Sequence, residues 1–402
     1  MTQVIATEAP AAAASTDAVP FDEGAFQQLK SEVDAWVRGP GEDYADEIER
    51  TGRMPERLFT ELKENGWLSL AAPVELGGRG IPFSRYLEIM EIISRSHASI
   101  RMLVHVINGT WRAMEPYATP EQIETVVTPS IAGDKLVAFT LTEATAGTGA
   151  DIRTSVRREG DHYVMNGEKH LITFGVSCDY WLIAARLEGT RGQDGTVAFL
   201  MPNIGLEGAE VIDDSDTMGI RGTDHAILRF TDVRIPASAR LGEEGQGLEV
   251  ALGGFLLPSR VSVAMSAVGL AERANELAVE YANTRETFGK KLSSRQAITF
   301  YLAENYADIA AARALVFEAA RAYEEGRPDA GALSSASKMV AVDMLARVTD
   351  KALQVHGGQG YWKRNTIERV YRDARAQRFE EGTNEIQKLV VGRAVVTGRA
   401  GF

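Results

Sequence analysis

Near the C-terminal end two carboxylates stand side by side, Glu380 and Glu381, followed by Gly382-Thr383 and then Glu385. A carboxylate held dry against a carbon acid is a general base, and such a group contributes about 10²–10⁴ in rate. The same pair could simply cap a helix, because anionic side chains suit a helix start. A second constellation is Gln354, one turn before Gly357-Gly358. Adjacent glycines let backbone N–H groups approach a phosphate closely, although a glycine pair also ends a helix without any ligand. Other chemistries lack their residues. No Gly-x-Gly-x-x-Gly follows a strand and opens a helix, and there is no Walker motif. The six histidines (His97, His105, His162, His170, His225 and His356) show no ligand spacing, so no metal is expected. The lone cysteine, Cys178, excludes an internal disulfide and reads as a small buried residue.

The elements that must position these groups fall into three textures. From Phe21 to about Asp134 the apolar period is helical. Met54-Pro55-Glu56 reads as a helix start, with Pro in the first turn. Pro73 to Gly80 carries three glycines and must be a loop. From Lys135 to about Pro236 the period becomes alternating. Thr154 to Arg157 and Tyr163 to Met165 flank a hairpin turn at Glu159-Gly160-Asp161, and Asn166-Gly167 reads as a second turn. From Leu241 onward long helical stripes return, such as Leu270, Ala274, Leu277 and Tyr281. The expected fold class is α+β: an N-terminal helical domain (21–134), a middle antiparallel β-barrel or sandwich (135–240), and a C-terminal four-helix bundle (241–402). Residues 1–20, rich in Ala and Thr, read as a disordered tail.

Composition narrows the partners. Of 402 residues, 45% are hydrophobic and 25% charged, and the net charge is −13. These values suit a globular chain. An acidic surface repels phosphate backbones, so nucleic acid is not expected as a partner. No uninterrupted apolar run of membrane-spanning length occurs, and no membrane partner is expected. The first 20 residues hold neither a positive start with an apolar stretch nor arginines, and a cytoplasmic location is the expectation.

The sequence resembles the acyl-CoA dehydrogenase family from about Arg50 to Arg393. Several motifs agree in order and spacing. Pro73 to Gly80 is similar to the family's Pro-x-x-x-Gly-Gly-x-Gly loop. Thr142-Glu143 opens what looks like its flavin loop, and Gly167-x-Lys169-x-Leu-Ile172-Thr173 resembles its flavin-facing strand. Met218-Gly219-x-Arg221-x-Thr223 and Phe230-x-Asp232-Val233 match the end of the β domain. Arg285-x-x-Phe288-Gly289, Gln296, Gln354-x-x-Gly357-Gly358 and Glu381-Gly382-Thr383 match the bundle. The resemblance implies α,β-dehydrogenation of an acyl thioester with FAD. The base takes the α-proton and the flavin N5 takes the β-hydride, since no side chain can be an electron sink.

By resemblance the base is Glu381. Another branch of the family places it just before an arginine on an earlier helix. That position is Ser259 here, before Arg260, and serine is no base. The implied FAD contacts from the β domain are Phe139, Leu141, Thr142, Gly147, Thr148, Leu171 and Thr173. Those from the bundle are Arg285, Thr287, Phe288, Leu292, Gln296, Gln354, Gly357, Gly358, Thr383 and Glu385. Arg260 and Glu380 are implied at the substrate. The bundle residues reach a neighbouring subunit's flavin in the family, which implies a homotetramer. Implied partners are an acyl-CoA or an acyl-carrier-protein thioester, and electron transfer flavoprotein. The reverse reaction, enoyl thioester reduction, stays open, as do a non-catalytic flavin-binding protein and a cofactor-free bundle.

Three departures matter. The flavin loop reads Thr142-Glu-Ala-Thr-Ala-Gly147-Thr-Gly-Ala-Asp151, with Ala144 for the usual proline and a late aspartate. The strand tryptophan is Leu171, and Phe174 replaces an asparagine. The residue before the base, commonly aromatic, is Glu380. Two carboxylates facing one cavity would raise at least one pKa, and the acyl group is expected to be short or polar.

Overall fold

The computed structural model describes residues 21–401 apart from 147, 148 and 150. The expected tail over 1–20 and the flavin-loop positions Gly147 and Thr148 lie outside the described residues. The N-terminal helices are α1 (Glu23–Arg38), α2 (Pro40–Thr51), α3 (Glu56–Glu64), α4 (Phe83–Ile93) and α5 (Ala98–Met114), then the short α6 (Pro120–Gln122) and α7 (Thr128–Ile131). Asp22 caps α1 by accepting from the Ala25 N–H at 2.9 Å. Pro55 sits at the N-cap of α3, one position outside the expected first turn. The 73–80 loop folds tightly on itself: a Cβ at Gly78 would lie 2.1 Å from the Ala72 carbonyl oxygen.

The middle part is one sheet of eight strands: β1 (Val137–Thr140), β2 (Ser155–Glu159), β3 (His162–Thr173), β4 (Tyr180–Leu187), β5 (Thr196–Pro202), β6 (Ala209–Asp213), β7 (His225–Pro236) and β8 (Arg240–Leu241). The order is β6-β7-β3-β2-β4-β5-β8, with β1 beside β4. Most neighbours are antiparallel, but β1 and β2 both run parallel to β4. The hairpin expected at 159–161 is present, with Glu159 opposite His162. The turn expected at Asn166-Gly167 is not. Those residues lie inside β3, where the register to β7 slips between Met165 and Gly167. Gly167 has φ +146°, and a Cβ there would lie 2.6 Å from Thr154 Cα. The Asn-Gly pair therefore makes a bulge that only glycine fits, because β3 is held on both sides by β2 and β7.

After α8 (Gly247–Leu252) the bundle begins with α9 (Leu256–Thr284). A two-strand ribbon, β9 (Glu286–Thr287) and β10 (Lys290–Lys291), leads to α10 (Gln296–Glu324), α11 (Ala330–His356), α12 (Thr366–Ala376) and α13 (Asn384–Val396). Gly357 stops α11 with φ +56°, as its sequence implied. Small residues along α9 let neighbours approach: a Cβ at Gly269 would lie 2.1 Å from the Glu91 carbonyl oxygen of α4. By length and composition Gly247–Thr284 could cross a membrane, yet most of its apolar window is buried inside the protein. The main apolar cluster draws on all three parts, from Phe26 through Trp181 to Ile367, so the parts share one core.

Candidate active site

The Glu380-Glu381 pair lies in the loop between α12 and α13. Glu381 takes φ +52° and Gly382 φ +91°. For a non-glycine residue this left-handed conformation is uncommon and must be held from outside. Three side chains hold it. The Glu381 carbonyl accepts from Arg260 Nε at 3.2 Å and from Gln387 Nε2 at 3.0 Å. The Gly382 carbonyl accepts from Lys338 Nζ at 2.9 Å and from Gln387 Nε2 at 3.0 Å. Lys338 Nζ also reaches the Arg378 carbonyl at 3.2 Å. Arg260 also donates from Nη1 to Ser335 Oγ at 3.2 Å. Burial pushes Arg260 down to about 10, against the opposing charge of Glu381. Burial likewise pushes Lys338 down to about 8, against the charges of Glu380 and Glu381. Arg260, expected at the substrate, is thus spent on the main chain of the base loop.

Successive side chains in extended chain point apart, but the left-handed turn sends both carboxylates toward α5. Glu380 closes a two-point pair with Arg101: Nη1 to Oε2 at 2.7 Å and Nη2 to Oε1 at 2.8 Å. Burial alone would raise Glu380; the Arg101 guanidinium outweighs it and holds the carboxyl below its ordinary value. The raised carboxyl considered from sequence is therefore not found at Glu380, and both its oxygens are engaged by Arg101 rather than offered to an acyl group. Glu381 differs. Its carboxylate makes no hydrogen bond among the described residues, and the His105 ring places Nε2 3.9 Å from its Oε1. The side chain is 17% exposed.

His105 is fixed between two serines of α9: Nε2 lies 3.1 Å from Ser259 Oγ and Nδ1 lies 3.0 Å from Ser262 Oγ. Arg101, His105, Asn108 and Arg112 follow i, i+4, i+7, i+11, so α5 turns one polar stripe inward. Sequence reading passed over this stripe, although its spacing inside an otherwise apolar helix was a usable signal. Lys338 gave no such signal, because nothing in its spacing sets it apart from an ordinary helix lysine.

The sheet supplies a second group. Lys169 Nζ meets Glu143 Oε1 at 2.9 Å and the Leu141 carbonyl at 3.1 Å, in a buried pair. Glu143 also accepts from the Arg153 and Thr154 N–H groups at 2.6 and 2.9 Å. Burial pushes Lys169 down to about 8, with Glu143 opposing. This staple fixes the chain around Thr142 against β3, and the His170 N–H donates to the Thr142 carbonyl at 2.9 Å. Thr142 and Thr173 are half-buried beside it. Leu171, at φ +57° within the second slip of β3, turns outward and is 63% exposed. Leu141 is buried and Phe139 packs against Phe255 with ring centroids 5.0 Å apart. The Leu141 side chain therefore faces protein, and its carbonyl is held by Lys169.

The third group sits at the far end of the bundle. Gln354, Gly357 and Gly358 are exposed, and a Cβ added to either glycine would meet nothing within 4 Å. Tyr281 stacks on His356 at 4.5 Å, which brings the Arg285 turn to the same end. Phe288 is 97% exposed at φ +50°, Gln296 is exposed, and Thr287 and Leu292 are half-buried. Near the base, Thr383 is half-buried at the N-cap of α13 and Glu385 is exposed in its first turn.

One chain does not bring these groups together. Lys338 touches the base loop, while Gly357 ends the same helix nineteen residues later. At the α-helical rise that is about 28 Å. The residues of this chain nonetheless suit a flat, phosphate-bearing ligand. Among the described residues the buried atoms Thr223 Oγ1 and His225 Nδ1 have no hydrogen-bond partner, and His225 stands opposite Thr173 in the sheet.

Comparisons with known proteins agree with this fold. Family models described as the acyl-CoA dehydrogenase N-terminal, middle and C-terminal domains match residues 25–134, 138–233 and 245–396. The chain is 33% identical over 371 residues to the probable acyl-CoA dehydrogenase FadE25 of Mycobacterium tuberculosis, covering 92% of this chain and 95% of that protein. It is 32% identical over 374 residues to the caffeyl-CoA reductase-Etf complex subunit CarC of Acetobacterium woodii, covering 90% and 97%. The butyryl-CoA dehydrogenase of Megasphaera elsdenii shares the fold with a TM-score of 0.87 and 31% identity, covering 94% of this chain and all of that one. Three domains in register, and relatives matched over nearly their whole length, place this chain in the acyl-CoA dehydrogenase family of FAD-dependent oxidoreductases acting on acyl-CoA.

Proposed function

We propose that this chain oxidises an acyl thioester to its α,β-unsaturated form, with Glu381 as the proton acceptor. The observation that carries the reading is the Glu381 carboxylate. It is largely shielded from water, unengaged by hydrogen bonds among the described residues, and held by an over-determined main chain. A base kept dry and unpaired can meet a carbon acid without first losing another partner. FAD, when bound, supplies the electron sink that takes the β-hydride at N5. The residues suited to hold it are Thr142, Leu171 and Thr173 at the ring, and Arg285, Phe288, Gln296, Gln354, Gly357 and Gly358 at the dinucleotide end. Arg260, Lys338 and Gln387 act through the main chain and orient the base.

The distance along α11 between the base loop and Gly357 supports a site shared between copies. One copy contributes the base and the sheet, and another contributes the glycines, within the homotetramer expected from the family pattern. The reductase name of one relative supports the same site running toward saturation, with an electron transfer flavoprotein as the redox partner. Anaerobic addition of acyl thioesters to the purified holoenzyme tests the reading. Bleaching of the flavin by one class is expected, and Glu381→Gln should slow it by about 10²–10⁴ while the protein stays yellow. Bleaching by Glu381→Gln at the wild-type rate would remove Glu381 from its role.

A further inference from the structure

Beside the Glu381 carboxylate stands a buried histidine. His105 of α5 is 3% exposed, and its Nε2 lies 3.9 Å from Glu381 Oε1. Both ring nitrogens meet hydroxyls of α9: Nδ1 is 3.0 Å from Ser262 Oγ and Nε2 is 3.1 Å from Ser259 Oγ. A hydroxyl either donates or accepts. Ser262 can accept from Nδ1–H while Ser259 donates to a bare Nε2. Once Nε2 carries a proton, Ser259 can turn and accept from it. The ring therefore gains or loses a proton without stranding a buried nitrogen, which a fixed donor or a fixed acceptor in place of Ser259 would not allow.

The other charged groups around this pair are engaged elsewhere. Arg101 of α5 takes both oxygens of Glu380. Lys338 of α11 donates to the Arg378 and Gly382 carbonyls. Arg260 of α9 donates to the Glu381 carbonyl and to Ser335. Arg112 of α5 turns to the Asn108 carbonyl at 2.8 Å. Tyr86 of α4, beside Ser262, is pushed by burial up to about 12 and stays neutral. Closing 3.9 Å to hydrogen-bond length takes a shift of about 1 Å. No hydrogen bond among the described residues holds the Glu381 carboxylate back from it. Free imidazole is a stronger base than a free glutamate, about 6.5 against about 4.3, and that difference sets the direction in which a proton moves on.

We propose that Glu381 and His105 hold the substrate's proton between them. Glu381 takes the proton as the α C–H bond breaks. The electron pair left on carbon forms the new double bond, and the β-hydrogen departs as hydride to the flavin. The proton then leaves the Glu381 oxygen for His105 Nε2. The carboxylate is ionised again and faces an imidazolium, so the net charge of the pair is unchanged by the transfer. His105 acts through Glu381 and is a positioning residue for the proton. This role rests on the thioester reading above and adds a residue to it.

The pH dependence separates a pair from a lone base. When His105 already carries a proton, Glu381 is ion-paired and has nowhere to pass a second one, so bleaching should fall as the ring titrates. Holoenzyme is mixed anaerobically with saturating butyryl-, hexanoyl- and 3-phenylpropanoyl-CoA between about pH 5 and about pH 9, a range that spans the titration of an imidazole. His105→Gln can still bond the serines but cannot take a proton. It should bleach about tenfold more slowly near pH 8, and its acid fall should lie about one pH unit or more below that of wild type. An unmoved midpoint, with the rate merely lowered, would make His105 a packing residue and overturn the shared proton while the thioester reading stands. Bleaching of wild type by none of the three overturns both. Retained flavin absorbance shows that the variant is folded. A second measurement needs no His105 variant and no substrate. With histidines selectively labelled for NMR, the His105 ring should titrate about one unit or more lower in Glu381→Gln than in wild type, because it loses its anionic neighbour. Equal midpoints would overturn the pairing.

Discussion

Arg101 is 1% exposed, and its guanidinium is matched to Glu380 atom for atom. A buried pair of this kind adds little net stability, but removing one partner strands the other charge. Arg101→Met should therefore destabilise the protein by about 3–5 kcal/mol, whereas the double variant Arg101→Met/Glu380→Met should recover most of that loss. Denaturant unfolding of the three proteins checks this, and a double variant no more stable than the single one would refute it. Lys338 gives a prediction in pH. Its folded pKa is about 8, and an unfolded lysine titrates near 10.4. Between those values the unfolded chain holds more protons, so the contribution of this group to stability rises with pH. Its burial cost is fully present below pH 8 and relieved by about pH 10. Wild type should gain on Lys338→Met by up to about 3 kcal/mol between pH 7 and pH 10. Unfolding free energies that keep a constant gap across that range would show that Lys338 is not depressed. Glu381, the proposed base, was picked out by the Glu-Gly-Thr spacing. Its left-handed φ was not, because three side chains, from α9, α11 and α13, impose it.

Most helices and strands follow from period and caps. Gly357 ends α11 and the hairpin at 159–161 closes β2 on β3, as local rules require. Asn166-Gly167 shows where such rules fail: a favourable turn pair is overridden when both edges of its strand are already hydrogen-bonded. The α5 stripe was hidden for another reason. A polar face reads as solvent-exposed until the fold shows that it lines a cavity. Gly167→Val tests the bulge. The added side chain meets Thr154 backbone at φ +146°, so stability should fall by about 2–3 kcal/mol. The Lys169–Glu143 staple lies two residues away, so flavin content should fall as well. A variant with wild-type melting temperature and flavin content would contradict the account.

At the scale of the molecule, the three parts share one core, yet the groups suited to one dinucleotide sit at opposite ends of α11. A closed symmetric assembly would resolve this, with each copy lending its glycines to its neighbour's proposed base. Two inactive variants make the arrangement measurable. Glu381→Gln lacks the base but keeps Gly357-Gly358. Gly358→Val keeps the base but fills the open space at the glycine. If each site lay within one chain, every mixture of these variants would be dead. If sites are shared across a two-fold pair, a mixed pair holds one site with Glu381 from one copy and intact glycines from the other. Co-expressed, the two should give about a quarter of wild-type activity when pairing is random, and mixed pairs isolated by two different tags about half. Separately purified and then mixed without exchange of subunits, they should give none. Activity absent from the co-expressed mixture, with both proteins folded and associated, would confine each site to a single chain.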